Sequence, residues 1–375
     1  MVDSRIMLSR HRRKGHNPSS QSLLWKAIAA FAFAVFVYSA LTVDPTEYGV
    51  GDYAFAMQST NTKVGNQNVD YHVDETCTTL PTIRPSGSYF LDGKIQAGHS
   101  PEGITPSFAV GSYIKGVSNH MNGDKKNFNL MKEALQGREG ELAIDFGANQ
   151  GFYTYYLAAL GMQVHSFEIN VDNFKSLQHG AEFNSKEVSD RVHLYPVGIG
   201  AKNARFGMSG NLYEGFLSEQ KGPILGATFD CFAHHTKDTI DLSKGVAFVK
   251  LDVEGHEIAV LQGAKNSLFK VGSKIGAMVM EVGPNRWGRA GVDIPTGIEE
   301  MKDLARHFGN SYLLVRSPGV SYWKTCPMSL AENLNLKPAA TGDKEMYDIE
   351  IGDWEPLMKT MNEKGFDCNI FFRNA

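Results

Sequence analysis

The sequence predicts an α/β protein built on a mostly parallel sheet with helices on both faces. Short β-branched and aromatic runs alternate with stretches whose apolar residues recur at helical spacing. Glycine-rich turns follow several of those runs, as strand-to-helix connections require. Acids close successive runs at Asp145, Glu168, Asp252, Glu254 and Glu281. In an open α/β sheet the carboxyl ends of the strands border the ligand crevice, so these acids would line a single edge.

The chain opens on a basic stretch, residues 1–22, with Arg5, Arg10, Arg12, Arg13 and Lys14. Residues 23–43 form a 21-residue apolar run interrupted only by Lys26. As a helix this run would be roughly 30 Å long, about one hydrocarbon core, and Lys26 near its end could snorkel. Asp44, Glu47 and Asp52 follow it. The asymmetry of basic charge predicts a single transmembrane signal-anchor of type II topology, with a cytosolic tail and the rest of the chain on the far side. Golgi or another endomembrane is the expected address. A cleaved signal peptide, cut near Ser39 and Ala40, is the rival, and the long basic head weighs against it.

Residues 44–80 read as a stem, polar through 58–70. A domain then runs from 81 to 375. Its first part, 87–123, is glycine-rich with scattered aromatics such as Tyr89, Phe90 and Tyr113, and predicts loops and short strands over the ligand side. A helix is expected over 128–135. Core strands are expected at 142–146, 163–167, 192–197, 246–251 and 275–282. Helices are expected at 152–160, 171–183, 256–269 and 297–307. The apolar runs 312–315 and 369–372 suit a final antiparallel pair. Residues 203–220 suit an extra hairpin near the substrate, and 318–352, long and polar, an insertion or flap within the C-terminal extension 318–375.

Two blocks carry the chemistry. In the first, strand 142–146 leads into Gly147-Ala-Asn149-Gln-Gly151, a helix follows, and the next strand ends in Glu168. A glycine turn between strand and helix lets backbone approach a ligand closely. A strand-end acid can accept hydrogen bonds from both hydroxyls of a ribose. A nucleoside-bearing cofactor fits this pattern. A dinucleotide does not, because Asn149 stands where that pattern needs its middle glycine. The second block, 246–264, is a buried strand ending in Lys250, Asp252 and Glu254, a break at Gly255, and a helix from His256.

Together the blocks resemble the FkbM-type S-adenosylmethionine-dependent methyltransferases. Asp145-Phe-Gly147-Ala148-Asn149-Gln-Gly151-Phe-Tyr153-Thr154 is similar to the family's glycine motif, and Lys250-Leu-Asp252-Val-Glu254-Gly255-His-Glu257 with Gly263-Ala264 to its later signature. Phe167-Glu168, Asn173-Phe174 and Thr228-Phe-Asp230 match further stretches, although Ile169, Val171 and Cys231 depart from the family pattern. The likeness spans residues 141–281, within a core of 141–282. It implies a class I methyltransferase Rossmann-like seven-stranded sheet with an antiparallel final strand. It also implies S-adenosyl-L-methionine held by Asp145, Gly147, Asn149, Gly151, Glu168 and Asp252. Asp252 would lie near the sulfonium, while Glu254 and His256 are the candidates for base or substrate orientation. Glu257 is expected to cap or pair on the helix face, and Lys250 to pair with an acid such as Glu281.

The implied activity is methyl transfer to a hydroxyl of a glycan or hydroxylated metabolite; a membrane-anchored scaffold retaining the fold without catalysis is the alternative. Trp287, Trp323 and Trp354 could stack on sugar rings, against their commoner use in cores. Asp252 and Glu281 could hold magnesium, but no third ligand is identifiable, and His234-His235 beside Cys231 lack zinc spacing, so no metal is expected. Hydrophobic content of 42% and charged content of 21% are ordinary for a globular chain, and a net charge of −4 gives no reason to invoke nucleic acid. The four cysteines are far apart; Cys231 is expected as a buried thiol, and Cys326 and Cys368 could pair if the domain is luminal.

Overall fold

The computed structural model describes residues 77, 95–113, 121–209, 216–218, 224–270, 272–316 and 326–374. The expected membrane anchor at 23–43, the polar stem at 58–70 and Trp323 lie outside them. Among the described residues no helix is long and apolar enough to cross a membrane.

A short ribbon, β1 (Gln96–His99) and β2 (Ala109–Ser112), comes first, then helix α1 (Lys125–Ala134). The central sheet starts with β3 (Leu142–Phe146), β4 (Gln163–Phe167) and β5 (Val192–Tyr195), separated by α2 (Phe152–Ala159) and α3 (Val171–Phe183). A small second sheet follows, made of β6 (Gly198–Ile199), β7 (Ala204–Ser209), β8 (Phe216–Ser218) and β9 (Ile224–Ala227). After α4 (Phe229–His235), the central sheet resumes with β10 (Val246–Leu251), α5 (Glu257–Gly263) and β11 (Ile275–Val282). It ends with α6 (Ile294–Phe308), β12 (Gly309–Leu314), β13 (Met346–Asp348), α7 (Trp354–Lys364) and β14 (Cys368–Asn374).

Among the described residues the central sheet has eight strands in the order β13-β12-β14-β11-β10-β3-β4-β5. Strands β5, β4, β3, β10 and β11 run parallel, and β14 is antiparallel between β11 and β12. This is a class I methyltransferase-like arrangement, enlarged by the edge strand β13. Every residue of β10 is buried, as a strand covered on both faces requires. From β3 the chain steps outward to β4 and β5, then returns to the other side of β3 as β10. The reversal opens a crevice between the ends of β3 and β10.

Most expected elements match closely in position. The helix read as 256–269 is shorter and ends at Gly263, which packs directly on the Gly200 carbonyl where a Cβ would not fit. The hairpin expected within 203–220 is β7–β8. The expected insertion 318–352 includes a helical turn, Met328–Asn333, and strand β13.

The cysteine expectation needs correction. Cys231 is not a free thiol: it is bonded to Cys77, with 5.5 Å between their Cα atoms. Cys326 and Cys368 form a second disulfide, Cα atoms 4.8 Å apart. The first links residues 154 apart in sequence, a separation at which spacing carries no pairing information.

Closing so long a loop restricts the unfolded chain. Reduction is therefore expected to lower the unfolding free energy in urea by about 3–5 kcal/mol. Alkylation of denatured, unreduced protein should modify no cysteine by intact mass; modification of two or four would contradict this pairing.

Candidate functional site

An open cavity, with about 650 Å³ of empty space including its solvent-facing mouth, lies at the crevice between β3 and β10. Its floor is the turn after β3. Gly147 adopts φ +82°, and a Cβ there would overlap the Asp252 carbonyl oxygen and lie 2.8 Å from its carbon. The two strand-end turns therefore touch backbone to backbone, which only glycine permits at this φ. Asn149, at φ +51°, is in the left-handed region as well. Asparagine tolerates that conformation better than most residues.

Six of the residues singled out in the sequence line this cavity: Gly147, Asn149, Glu168, Asp252, Glu254 and His256. Asp145 and Gly151 lie behind it. Asp145 is buried and accepts a hydrogen bond from Thr154 Oγ1 at 2.6 Å, which ties β3 to the first turn of α2. Burial raises its carboxyl to about 6, against the pull of Thr154 and Lys250. Gly151, at φ +94°, stands immediately before α2.

At the other end of the cavity, Glu168 accepts from the backbone N–H of Asn149 at 2.7 Å and of Asn170 at 2.6 Å. Burial pushes its carboxyl up to about 7, and those two N–H groups oppose the rise. Beside it Phe167, Ile169, Val197, Ile199 and Leu217 form an apolar slot. Leu217 belongs to the inserted hairpin, so the hairpin reaches the cavity. The ribbon also braces this region: Ser112 Oγ donates to Gln150 Oε1 at 2.6 Å, and Tyr113 OH to Asn173 Oδ1 at 2.5 Å.

The Asp252 end is a network of charges. Lys250 is 1% exposed, and its Nζ lies 3.2 Å from Asp252 Oδ2 and 4.8 Å from the centre of the Tyr153 ring. The sequence suggested Glu281 as its partner, whereas the contact is with Asp252. Burial would lower the Lys250 ammonium, but Asp252, Glu281, Asp145 and Asp124 outweigh it and hold the group above its usual range. Asp124, just before α1, is a member of this ring that the sequence did not disclose, because its position depends on how α1 docks.

Arg286 is the other residue that sequence reading missed. It donates to Glu254 Oε2 and, at 2.8 Å, to Glu281 Oε1, and lies 3.4 Å from Asp367 Oδ1. Glu254 is thus committed to a guanidinium. Burial, then Asp252 and Glu281, raise the Glu254 carboxyl, and Arg286 opposes them. His256 is 6% exposed and lines the cavity, so it does not face solvent at a helix start. Glu257 is fully buried and accepts from the Gly255 N–H at 2.8 Å; it is not on a helix surface. Thr228 and Asp230 are structural: Thr228 caps α4, and Asp230 accepts from Asn266 and Ser267. Trp287 and Trp354 are fully buried and are core residues, not sugar platforms.

Among the described residues, the one cluster of metal-ligand type is Cys77, Cys231 and His235. Its two sulfurs are bonded to each other, and His235 Nε2 lies 2.8 Å from the Cys77 carbonyl oxygen.

Residues 145–312 match the sequence model of the methyltransferase FkbM domain, so the likeness read from the two motifs holds across that segment. No curated protein sequence matches the chain. Solved structures to which it is similar include a precorrin-6y C5,15-methyltransferase from Geobacter metallireducens, at 10% identity and TM-score 0.29, covering 66% of this chain and 87% of that one. A SAM-dependent methyltransferase from Agrobacterium tumefaciens aligns at 8% identity and TM-score 0.38, covering 78% and 72%. An O-methyltransferase from Bacillus cereus in complex with SAH aligns at 10% identity and TM-score 0.30, covering 66% and 79%. The strand order itself supports the fold.

Replacing Gly147 by alanine forces a Cβ into the Asp252 carbonyl and strains φ. Gly147→Ala is expected to cost about 2–4 kcal/mol of stability in urea denaturation. A loss below about 0.5 kcal/mol would contradict the backbone contact, since that is the range of neutral surface changes.

Proposed function

We propose that this protein is an S-adenosylmethionine-dependent methyltransferase that methylates a hydroxyl of a glycan or hydroxylated metabolite. One observation carries the cofactor reading: a single cavity joins the Gly147–Asp252 contact, the apolar slot and the Glu168 carboxylate. Its residues fit the group. The slot of Phe167, Ile169, Val197, Ile199 and Leu217 suits an adenine. Glu168 would hold the ribose hydroxyls, and Gly147 and Asn149 the methionine portion, with Asp145 fixing their turn from behind. Asp252 offers negative charge where a sulfonium cation would sit.

When bound, the donor supplies a methyl group already activated for in-line displacement. What remains for the protein is to hold the acceptor oxygen about 3–3.5 Å from that carbon, exclude water and take up a proton. His256 is the candidate proton acceptor, being an imidazole on the cavity wall. Glu254, gripped by Arg286, serves position instead of proton transfer. Asp252, paired with Lys250, stays oriented.

We further propose that the domain works in an oxidising compartment, anchored by residues 23–43 as a type II membrane protein of the Golgi or another endomembrane. The paired cysteines support this, because disulfides persist in such compartments. The reading requires that the methyl donor be carried across that membrane.

Calorimetric titration with S-adenosylhomocysteine tests the cofactor. Wild type is expected to bind, and Glu168→Gln about 10–100-fold more weakly, since it loses a charge-assisted pair of hydrogen bonds. Equal binding by both proteins would end the ribose assignment. Labelled donor with fractionated extract tests the acceptor: label in protein or lipid instead of carbohydrate or a hydroxylated small molecule would overturn that part.

The pH dependence has a definite sign. The Glu168 carboxyl titrates at about 7 in the fold, above its ordinary 4.5. Its ionisation therefore disfavours the empty fold above pH 7, and that cost fades as pH falls towards 4.5. Ligand binding runs the other way, because two ribose hydroxyls need the ionised acid as acceptor. Affinity is expected to fall by up to about tenfold per pH unit below 7, and the Glu168→Gln protein should lack this dependence.

A further inference from the structure

We propose that Arg286 is a positioning residue for the cofactor, which it serves by fixing the turn 252–256 through Glu254. This inference rests on the methyltransferase reading above.

Three residues of that turn, Asp252, Val253 and Glu254, line the cavity together with His256. Glu254 sits at φ +55°, a left-handed conformation that costs a non-glycine residue of its shape on the order of 1–2 kcal/mol. Something must hold it there. Arg286 grips the Glu254 carboxylate, and Arg289 Nη1 donates to the Glu254 carbonyl at 2.8 Å. At the next residue, Gly255, a Cβ would lie 2.7 Å from both the Cβ and the carbonyl oxygen of Arg286. The turn is thus clamped from two sides, by Gly147 against Asp252 and by Arg286 against Glu254 and Gly255.

Arg286 is itself fixed. It lies in a 3-10 segment, Pro284–Ala290, whose next residue, Trp287, is fully buried against Gly297 of α6. Its guanidinium also meets Glu281 at the end of β11 and Asp367 just before β14. Gly283 is the space in which this happens: a Cβ there would lie 2.5 Å from Asp367 Oδ1 and 2.6 Å from Arg286 Nε. One planar fork therefore ties together three chain segments at the sheet's carboxyl edge. A lysine could supply the charge there but not the geometry.

A purely structural ion pair would support stability and leave the folded protein's affinity alone. Positioning predicts that the two separate. S-adenosylhomocysteine binding by calorimetry and urea stability are measured for wild type, Arg286→Lys, Arg286→Gln, Glu254→Gln and the Arg286→Gln/Glu254→Gln double variant. Arg286→Lys should recover most of the stability yet bind about tenfold more weakly. The double variant should bind no more than about threefold worse than the weaker single, because both changes release one turn. If Arg286→Gln fails to fold, Arg286→Lys decides. Folded Arg286→Lys binding within twofold of wild type overturns the proposal, as does independent addition of the two single losses. A folded wild type that binds no S-adenosylhomocysteine brings down the methyltransferase reading itself, a result distinct from either.

Discussion

The backbone contact between Gly147 and Asp252 is the constraint on which the site depends. Strands β3 and β10 are hydrogen-bonded neighbours, with Asp145 opposite Lys250 and Phe146 opposite Leu251. The turns that leave them must diverge, or their side chains would collide. One turn has given up its side chain and adopted a positive φ, so the other can lie against it. The crevice at the sheet's reversal is therefore closed at its base and open above it. What faces the cavity from these turns, Asn149 on one side and Asp252, Val253, Glu254 and His256 on the other, takes its direction from that contact.

The second constraint is charge. Asp124, Asp145, Asp252, Glu254, Glu257, Glu281 and Asp367 converge on one end of the sheet, where burial raises many of these acids. Buried charges of one sign are costly unless paired. Two buried cations answer them in different ways. Lys250 extends along its own strand to Asp252 and sits over the Tyr153 ring, so it serves the face of the sheet that carries α1 and α2. Arg286 comes from a connecting segment and gathers carboxylates from separate chain segments. A point charge suits the first position and a planar fork the second.

Much of this was legible in the sequence. Strands β3, β4, β10 and β11 coincide with their runs because buried parallel strands read as largely apolar stretches, here carrying only a few polar residues such as Asp145, His165 and Lys250. The Gly147–Gly151 turn and the strand-end acids were legible for the same reason: they are local features placed by strand geometry. Arg286 was not, since its role comes from three partners brought together by tertiary folding, and nothing in Pro-Asn-Arg-Trp marks one arginine above another. Asp124 and the Cys77–Cys231 pair were hidden likewise, by distance along the chain. Glu254 was found but its engagement was not; its acidity was visible, while its left-handed backbone and its guanidinium partner were not.

The second disulfide joins these two constraints to the C-terminal extension. Cys368 opens β14, opposite Val282 at the end of β11, and the residue before it is Asp367. Its partner Cys326 lies beyond β12, where its carbonyl accepts from the Arg316 N–H at 3.1 Å. The bond therefore fixes the start of β14 at the carboxyl edge, one residue from a carboxylate that Arg286 holds. A free strand start could shift by a residue and turn Asp367 away, because side chains alternate along a strand. Tied to the segment after β12, it cannot slip so easily, and the same covalent link that restrains the C-terminal pair of strands keeps the guanidinium's third partner in place. The extension is thus part of the site's support, although among the described residues none of it lines the cavity.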